Sequence, residues 1–307
     1  MNNVNPKIDL VFKKIFGTDE NKDLLKSLIN SVLPENQKIT NLTIKNPYNE
    51  IDFIGDRLSI VDIKASDEKE QLYNIEIQIR EQGFFGRRSL YYWAKLYSGQ
   101  LFETDNFREL HKTIMINLLD FVYFNDDKYV RRCCIKDYDT SEFYSQLDFE
   151  DIYFVELKKF DNELRHIENT LDRWITFLNK ACELENDNLP QELNEPEIRK
   201  ALDTVERMSL NRKEREYYEG RKKVIRDDEG VIKFREEKAG KKGLKKGLKK
   251  GLRKGMEKGM EKGKNEKAIE IAKNGIIAGF TNEIIKTMTK LTDIQIEELR
   301  NEFNTTD

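Results

Sequence analysis

Leu58–Asp67, LSIVDIKASD, and Leu72–Glu81, LYNIEIQIRE, flank a short polar stretch, Asp67–Gln71, DEKEQ. Each ten-residue segment alternates apolar and polar side chains, the period-two signature of a half-buried strand. The stretch between them is short and polar enough for a hairpin turn. Val61, Ile63 and Ala65 then share one face with Tyr73, Ile75, Ile77 and Ile79, while Asp62 and Lys64 share the other with Asn74, Glu76, Gln78 and Arg80. A turn centred on Lys69 sets Asp62 directly opposite Glu76, with Cβ atoms about 5 Å apart. Like charges facing each other across a ladder repel. A cation between the carboxylates relieves that, and their hard oxygens suit Mg²⁺. The same alternation also fits a solvated strand face, so the rest of the chain must decide.

The 307 residues suffice for one main domain with appendages. Charged residues make up 36% and the mean hydropathy is −0.74, which points to a water-soluble chain. No apolar run reaches the roughly 18 residues of a membrane span, and MNNVNPKIDL lacks the apolar stretch of a secretion signal. The expected location is the cytoplasm. Cys133, Cys134 and Cys182 have no metal-ligand spacing and are expected as free thiols. Two histidines, His111 and His166, are too few for a zinc site or a histidine-based nuclease. Lys238–Lys267 holds 13 Lys and Arg against 3 Glu, an excess of ten positive charges, so the remainder of the chain carries a net −13. Such a block reads as an interaction tail.

Apolar periodicity predicts helix over Ile8–Leu33, broken at Gly17–Thr18, with Asp19 as a cap for the second piece. Ile39–Ile44 and Ile51–Ile54 are candidate strands ahead of the hairpin. Phe84–Phe102 predicts an aromatic amphipathic helix whose inner face holds Leu90, Trp93, Ala94, Tyr97 and Leu101. Lys112–Phe124 reads as a buried strand, followed by strands at Tyr129–Ile135 and Asp151–Leu157. Helical periodicity takes over at Leu164–Leu178, Pro196–Met208 and Arg212–Gly220. The expected fold is α/β, a mixed sheet with helices on its faces and a helical C-terminal extension.

In chain order stand IDLVFKKIFG, VDIKASD, YNIEIQIRE, RRSLYYWAKLYSGQL, KTIMINLLDF, VELKKF and LDRWITFL. Their order and spacing resemble the recombination-promoting nuclease and transposase family (Rpn) of the PD-(D/E)XK nuclease superfamily. The resemblance covers about Pro6 to Lys223, together with the glycine-repeat tail. It implies a restriction-endonuclease-like core, a divalent cation such as Mg²⁺, DNA as partner, and phosphodiester hydrolysis linked to recombination or mobile elements. It further implies Asp62 and Glu76 as metal ligands, the pair that the hairpin register brings together, with Asp9, at the family's early acidic position, as a further metal-site residue supporting the ion. The superfamily's motif lysine falls on Gln78, which carries neither charge nor base and orients water or phosphate through its amide. The cationic role then passes to another group. Lys64 lies on the face of Asp62, and Lys13 lies one helical turn after Asp9. Arg88 and Tyr92 share a face of the following helix, where they would meet DNA. All four also read as surface or rim residues.

Gly243, Gly247, Gly251, Gly255, Gly259 and Gly263 recur every four residues, each followed by Leu, Met or, last, Lys. Two readings stay open. Small residues at this spacing let helix backbones approach closely, and the lysines suit a nucleic-acid backbone; equally, the stretch fits a solvated low-complexity linker. Ala268–Phe303 predicts two or three short helices, with Thr281 as one cap and Thr292–Gln295 as a capping box. The acidic last helix favours protein contacts, including homo-oligomerisation, over DNA. The expected division is 1–160 nuclease core, 161–237 helical extension, 238–267 repeat and 268–307 small helical module. A competing expectation is a catalytically weak DNA-binding or oligomerising protein that retains the fold.

Overall fold

The computed structural model describes residues 4–45, 62–81, 83–101, 106–161 and 163–304. The strand expected at Ile51–Ile54 and the first residues of Leu58–Asp67 lie outside these. The described strands are β1 (Leu42–Ile44), β2 (Asp62–Asp67), β3 (Leu72–Gln78), β4 (Thr113–Leu119), β5 (Val130–Cys133) and β6 (Glu150–Glu156), and they form one sheet in the order β1-β2-β3-β4-β6-β5. β1, β2 and β3 pair antiparallel, β3, β4 and β6 pair parallel, and β5 closes the far edge antiparallel. The mixed α/β sheet expected for a PD-(D/E)XK core is present.

Two helical layers cover the sheet unequally. On one face, α1 (Asp9–Phe16), α2 (Lys22–Val32), α4 (Thr170–Lys180) and α5 (Pro196–Arg207) bury Phe12, Phe16, Leu25, Trp174, Phe177 and Leu202 against Ile63, Tyr73, Ile75, Ile77, Ile116 and Val155. Trp174 is fully buried, edge-on to Phe16 at 5.3 Å, and its indole N–H donates to Ser27 Oγ at 3.2 Å. α4 starts sharply because Asn169 and Asp172 cap each other reciprocally. Asp19 sits in a short 3-10 turn and does not cap α2, whose first turn begins after Asn21.

The other face is covered by α3 (Phe85–Ser98), which contributes Phe85 to a smaller core of Met115, Leu119, Phe121, Ile152 and Phe154. The inward side of α3 differs from the expectation. Phe85 and Ser89 are buried and Trp93 is partly so, whereas Leu90 is 52% exposed. The sheet surface beneath explains it: Asn74, Glu76, Gln78 and Asn117 lie there, so the helix turns Arg88 and Ser89 inward and leaves Leu90 in solvent.

The chain divides into two compact units, Met1–Asp227 and Asp228–Asp307. In the first, α4 and α5 share the core of the sheet. Helix α6 spans Arg212–Ile277, so the glycine repeat is helical. In the second unit, Ala272 packs with Ile285 of α7 (Asn282–Thr289) and Ile296 and Leu299 of α8 (Asp293–Asn304). Gly279, at φ +80°, ends α6 in the left-handed conformation that glycine adopts without cost. The Thr292–Gln295 capping box forms, while Thr281 makes no side-chain cap. Among the described residues no helix is long and apolar enough to cross a membrane.

Candidate active site

The β2–β3 hairpin is pinned by Asp67. Its Oδ1 accepts the backbone N–H groups of Lys69 and Gln71, both at 2.9 Å, and its Oδ2 accepts the Tyr73 hydroxyl at 3.0 Å. Glu70 takes φ +60° to complete the reversal. The Tyr73 hydroxyl is held well above the usual phenol range, first by burial and then by the Asp67 charge. The register that results pairs Asp62 with Glu76, Ile63 with Ile75 and Lys64 with Asn74, the pairing that a turn centred on Lys69 predicts.

The β3 half of this polar face is largely withdrawn from solvent. Asn74 is 2% exposed and Glu76 3%, both beneath α3. A buried carboxylate requires compensating charge or donors. Arg88 supplies them: one guanidinium nitrogen, Nη2, lies 2.7 Å from Glu76 Oε1 and 2.6 Å from Gln78 Oε1. Gln78 in turn donates from Nε2 to the Arg80 carbonyl at 3.0 Å, which orients its amide. The Arg88 guanidinium also lies over the Phe85 ring at 5.3 Å.

A polar pair that the sequence reading did not single out anchors α3 next to Arg88. Asn117 pairs in register with Glu76 across β3 and β4. Its Nδ2 donates to Ser89 Oγ at 3.2 Å and to the Tyr153 carbonyl at 3.1 Å, and both Asn117 and Ser89 are buried. The available signal was Asn117 itself, an amide inside the apolar run TIMINLL.

The remaining expected residues occupy different places. Lys64 is exposed on the same strand face as Asp62. Tyr92 is 37% exposed one turn beyond Arg88, in ring contact with Tyr91 at 5.6 Å. Lys13 is buried on α1, in the layer over the apolar face of the sheet, rather than displayed at the surface. Asp9 is also buried. Its Oδ1 accepts the N–H of Leu10, and its Oδ2 receives the Tyr217 hydroxyl at 2.8 Å and Arg221 Nη2 at 3.1 Å. Asp9 thus ties the start of α6 to α1. The Tyr217 hydroxyl is pushed up by burial and then by the Asp9 charge.

Among the described residues no three His, Cys, Asp or Glu side chains gather as a ready-made metal cluster. The donor chemistry nonetheless suits a hard, hydrated cation. Two carboxylate residues face each other in register. Asn74 Oδ1, buried on the same face, has no hydrogen-bond partner among the described residues and is an acceptor for the water of a hydrated ion.

No curated protein and no solved structure matches the chain. A family model described as PD-(D/E)XK nuclease family transposase matches residues 6–234, which takes in the whole sheet, α3 and the Asp62–Glu76 hairpin, and the chain belongs to that family.

Proposed function

We propose that the chain is a DNA endonuclease dependent on a divalent cation, Mg²⁺ being the natural one, and that its cleavage serves recombination or element mobility. The observation that carries this is the in-register opposition of Asp62 and Glu76, with Glu76 buried beside Gln78 and Arg88. Asp62 and Glu76 would hold the cation. When bound, it supplies Lewis-acid polarisation of a phosphate oxygen and a more acidic water. Gln78 carries no charge and cannot act as a base, so its part is orientation. Asp9, engaged by Tyr217 and Arg221, acts as a support for the site's surroundings rather than as a direct ligand. Tyr92 and the cations Lys64 and Arg88 lie on the hairpin's polar side and α3, where a DNA strand would pass; Lys13 would contribute only from below the surface. The test is plasmid nicking by the full chain with Mg²⁺, compared with Asp62→Ala and Glu76→Ala. Metal-dependent nicking lost in both variants supports the reading. Nicking that survives both, or that the intact chain lacks, refutes it.

A second reading is a DNA-binding or self-associating protein with little catalysis. One observation favours it: Leu244, Leu248, Leu252, Met256 and Met260 are each more than 60% exposed along a lysine-rich helix, and among the described residues nothing beyond the helix's own local backbone lies within 4 Å of a Cβ built on any glycine of the repeat. Salt-sensitive DNA binding without cleavage would support it.

A further inference from the structure

The motif lysine of the superfamily is replaced here by Gln78, so a positive charge must come from elsewhere. Arg88 touches both motif side chains at once: a single Nη2 sits 2.7 Å from Glu76 Oε1 and 2.6 Å from Gln78 Oε1. Its helix is set at the right height by Phe85 and by the buried Ser89–Asn117 pair. The Glu76 oxygen that holds Arg88 is one that a cation would share. A guanidinium and a divalent ion on the same carboxylate repel, so the two compete. Displaced from Glu76, a guanidinium is well matched to a phosphate, which it binds in a planar, forked geometry. Arg88 is 18% exposed at the side chain, so it has a way out toward solvent.

We infer that Arg88 takes the role of the missing lysine by exchange. It neutralises Glu76 and Gln78 while the site lacks its cation, and it passes to the substrate phosphate when the cation is held. This rests on the nuclease reading above. It assigns Arg88 two opposite effects that a purely structural residue lacks: it weakens cation binding and it accelerates cleavage.

The test uses the full chain at pH 8. Mn²⁺ binding without DNA is measured by titration calorimetry, and plasmid nicking is measured at saturating Mn²⁺. Arg88→Met is expected to bind Mn²⁺ about tenfold more tightly, since one charge-assisted contact no longer has to be broken. It is expected to nick about a hundredfold more slowly, as for loss of one charge-stabilising donor. Arg88→Lys should recover part of the turnover. Should the Met variant not fold, Arg88→Gln, neutral and polar, should show the same tightening. Binding that weakens or stays level in the neutral variants, while the parent binds and nicks, overturns the exchange alone. A parent and neutral variants that all fail to bind Mn²⁺ or nick DNA overturn the nuclease reading with it.

Discussion

Replacing Asp67 by Ala removes three hydrogen bonds at one stroke, two from the turn amides of Lys69 and Gln71 and one from the Tyr73 hydroxyl. The turn amides lie near solvent, so water recovers much of their loss, and about 1 kcal/mol each is a fair cost. The Tyr73 hydroxyl is buried and keeps only a long contact to Gln71 Oε1 at 3.4 Å, so about 2 kcal/mol attaches to it. The expected destabilisation is therefore about 4 kcal/mol, read from the urea midpoint of the full chain. Tyr73→Phe in the same background removes the stranded hydroxyl and should return about 1 to 2 kcal/mol, a coupling visible in a double-mutant cycle. Because this turn sets the register that opposes Asp62 to Glu76, Mg²⁺-dependent nicking should fall further than the loss of folded protein explains. A destabilisation under about 1 kcal/mol, or a cycle with no coupling to Tyr73, would refute the claim that Asp67 holds the hairpin.

Asn117→Leu should strip Ser89 of its partner and cost about 2 kcal/mol in chemical denaturation, with nicking reduced more than stability because α3 carries Arg88. Gly247→Ala combined with Gly251→Ala should raise helicity in circular dichroism and stabilise α6 by up to about 1 kcal/mol per site, since nothing opposes a Cβ there; loss of self-association in the same variant would show that the glycines serve a close helix contact. Gly279→Ala, forced to φ +80°, should destabilise the C-terminal unit by about 1 kcal/mol in thermal melts. Tyr92→Ala should weaken binding of a labelled DNA duplex without changing the melting temperature, because the ring is substantially exposed.

Much of the candidate site's geometry was legible because it is local. Alternation with period two identifies the strands, and the four polar residues between them leave little freedom in the turn; a turn centred on Lys69 then pairs residues 62 and 76, as the structure does. The family motifs are likewise contiguous stretches. The face of α3 was not legible, since the apolar stripe of Leu90, Trp93, Ala94 and Tyr97 argues for one side while the side that packs carries Arg88 and Ser89. What selects the buried side is the polar patch under it, made by residues of two other elements.

The sequence by itself determined the α/β class, the hairpin, and the concentration of charge in the tail. Each depends on neighbours within a few residues or on composition. Only the tertiary structure decided that Asn74 and Glu76 of the polar strand face are buried, that Arg88 bridges Glu76 and Gln78, and that Asn117 locks α3 through Ser89. It also decided that Asp9 meets Tyr217, 208 positions away. The physical reason is that a side chain's partner is chosen by which layers stack upon it, and that stacking is settled by packing of the whole core rather than by local periodicity.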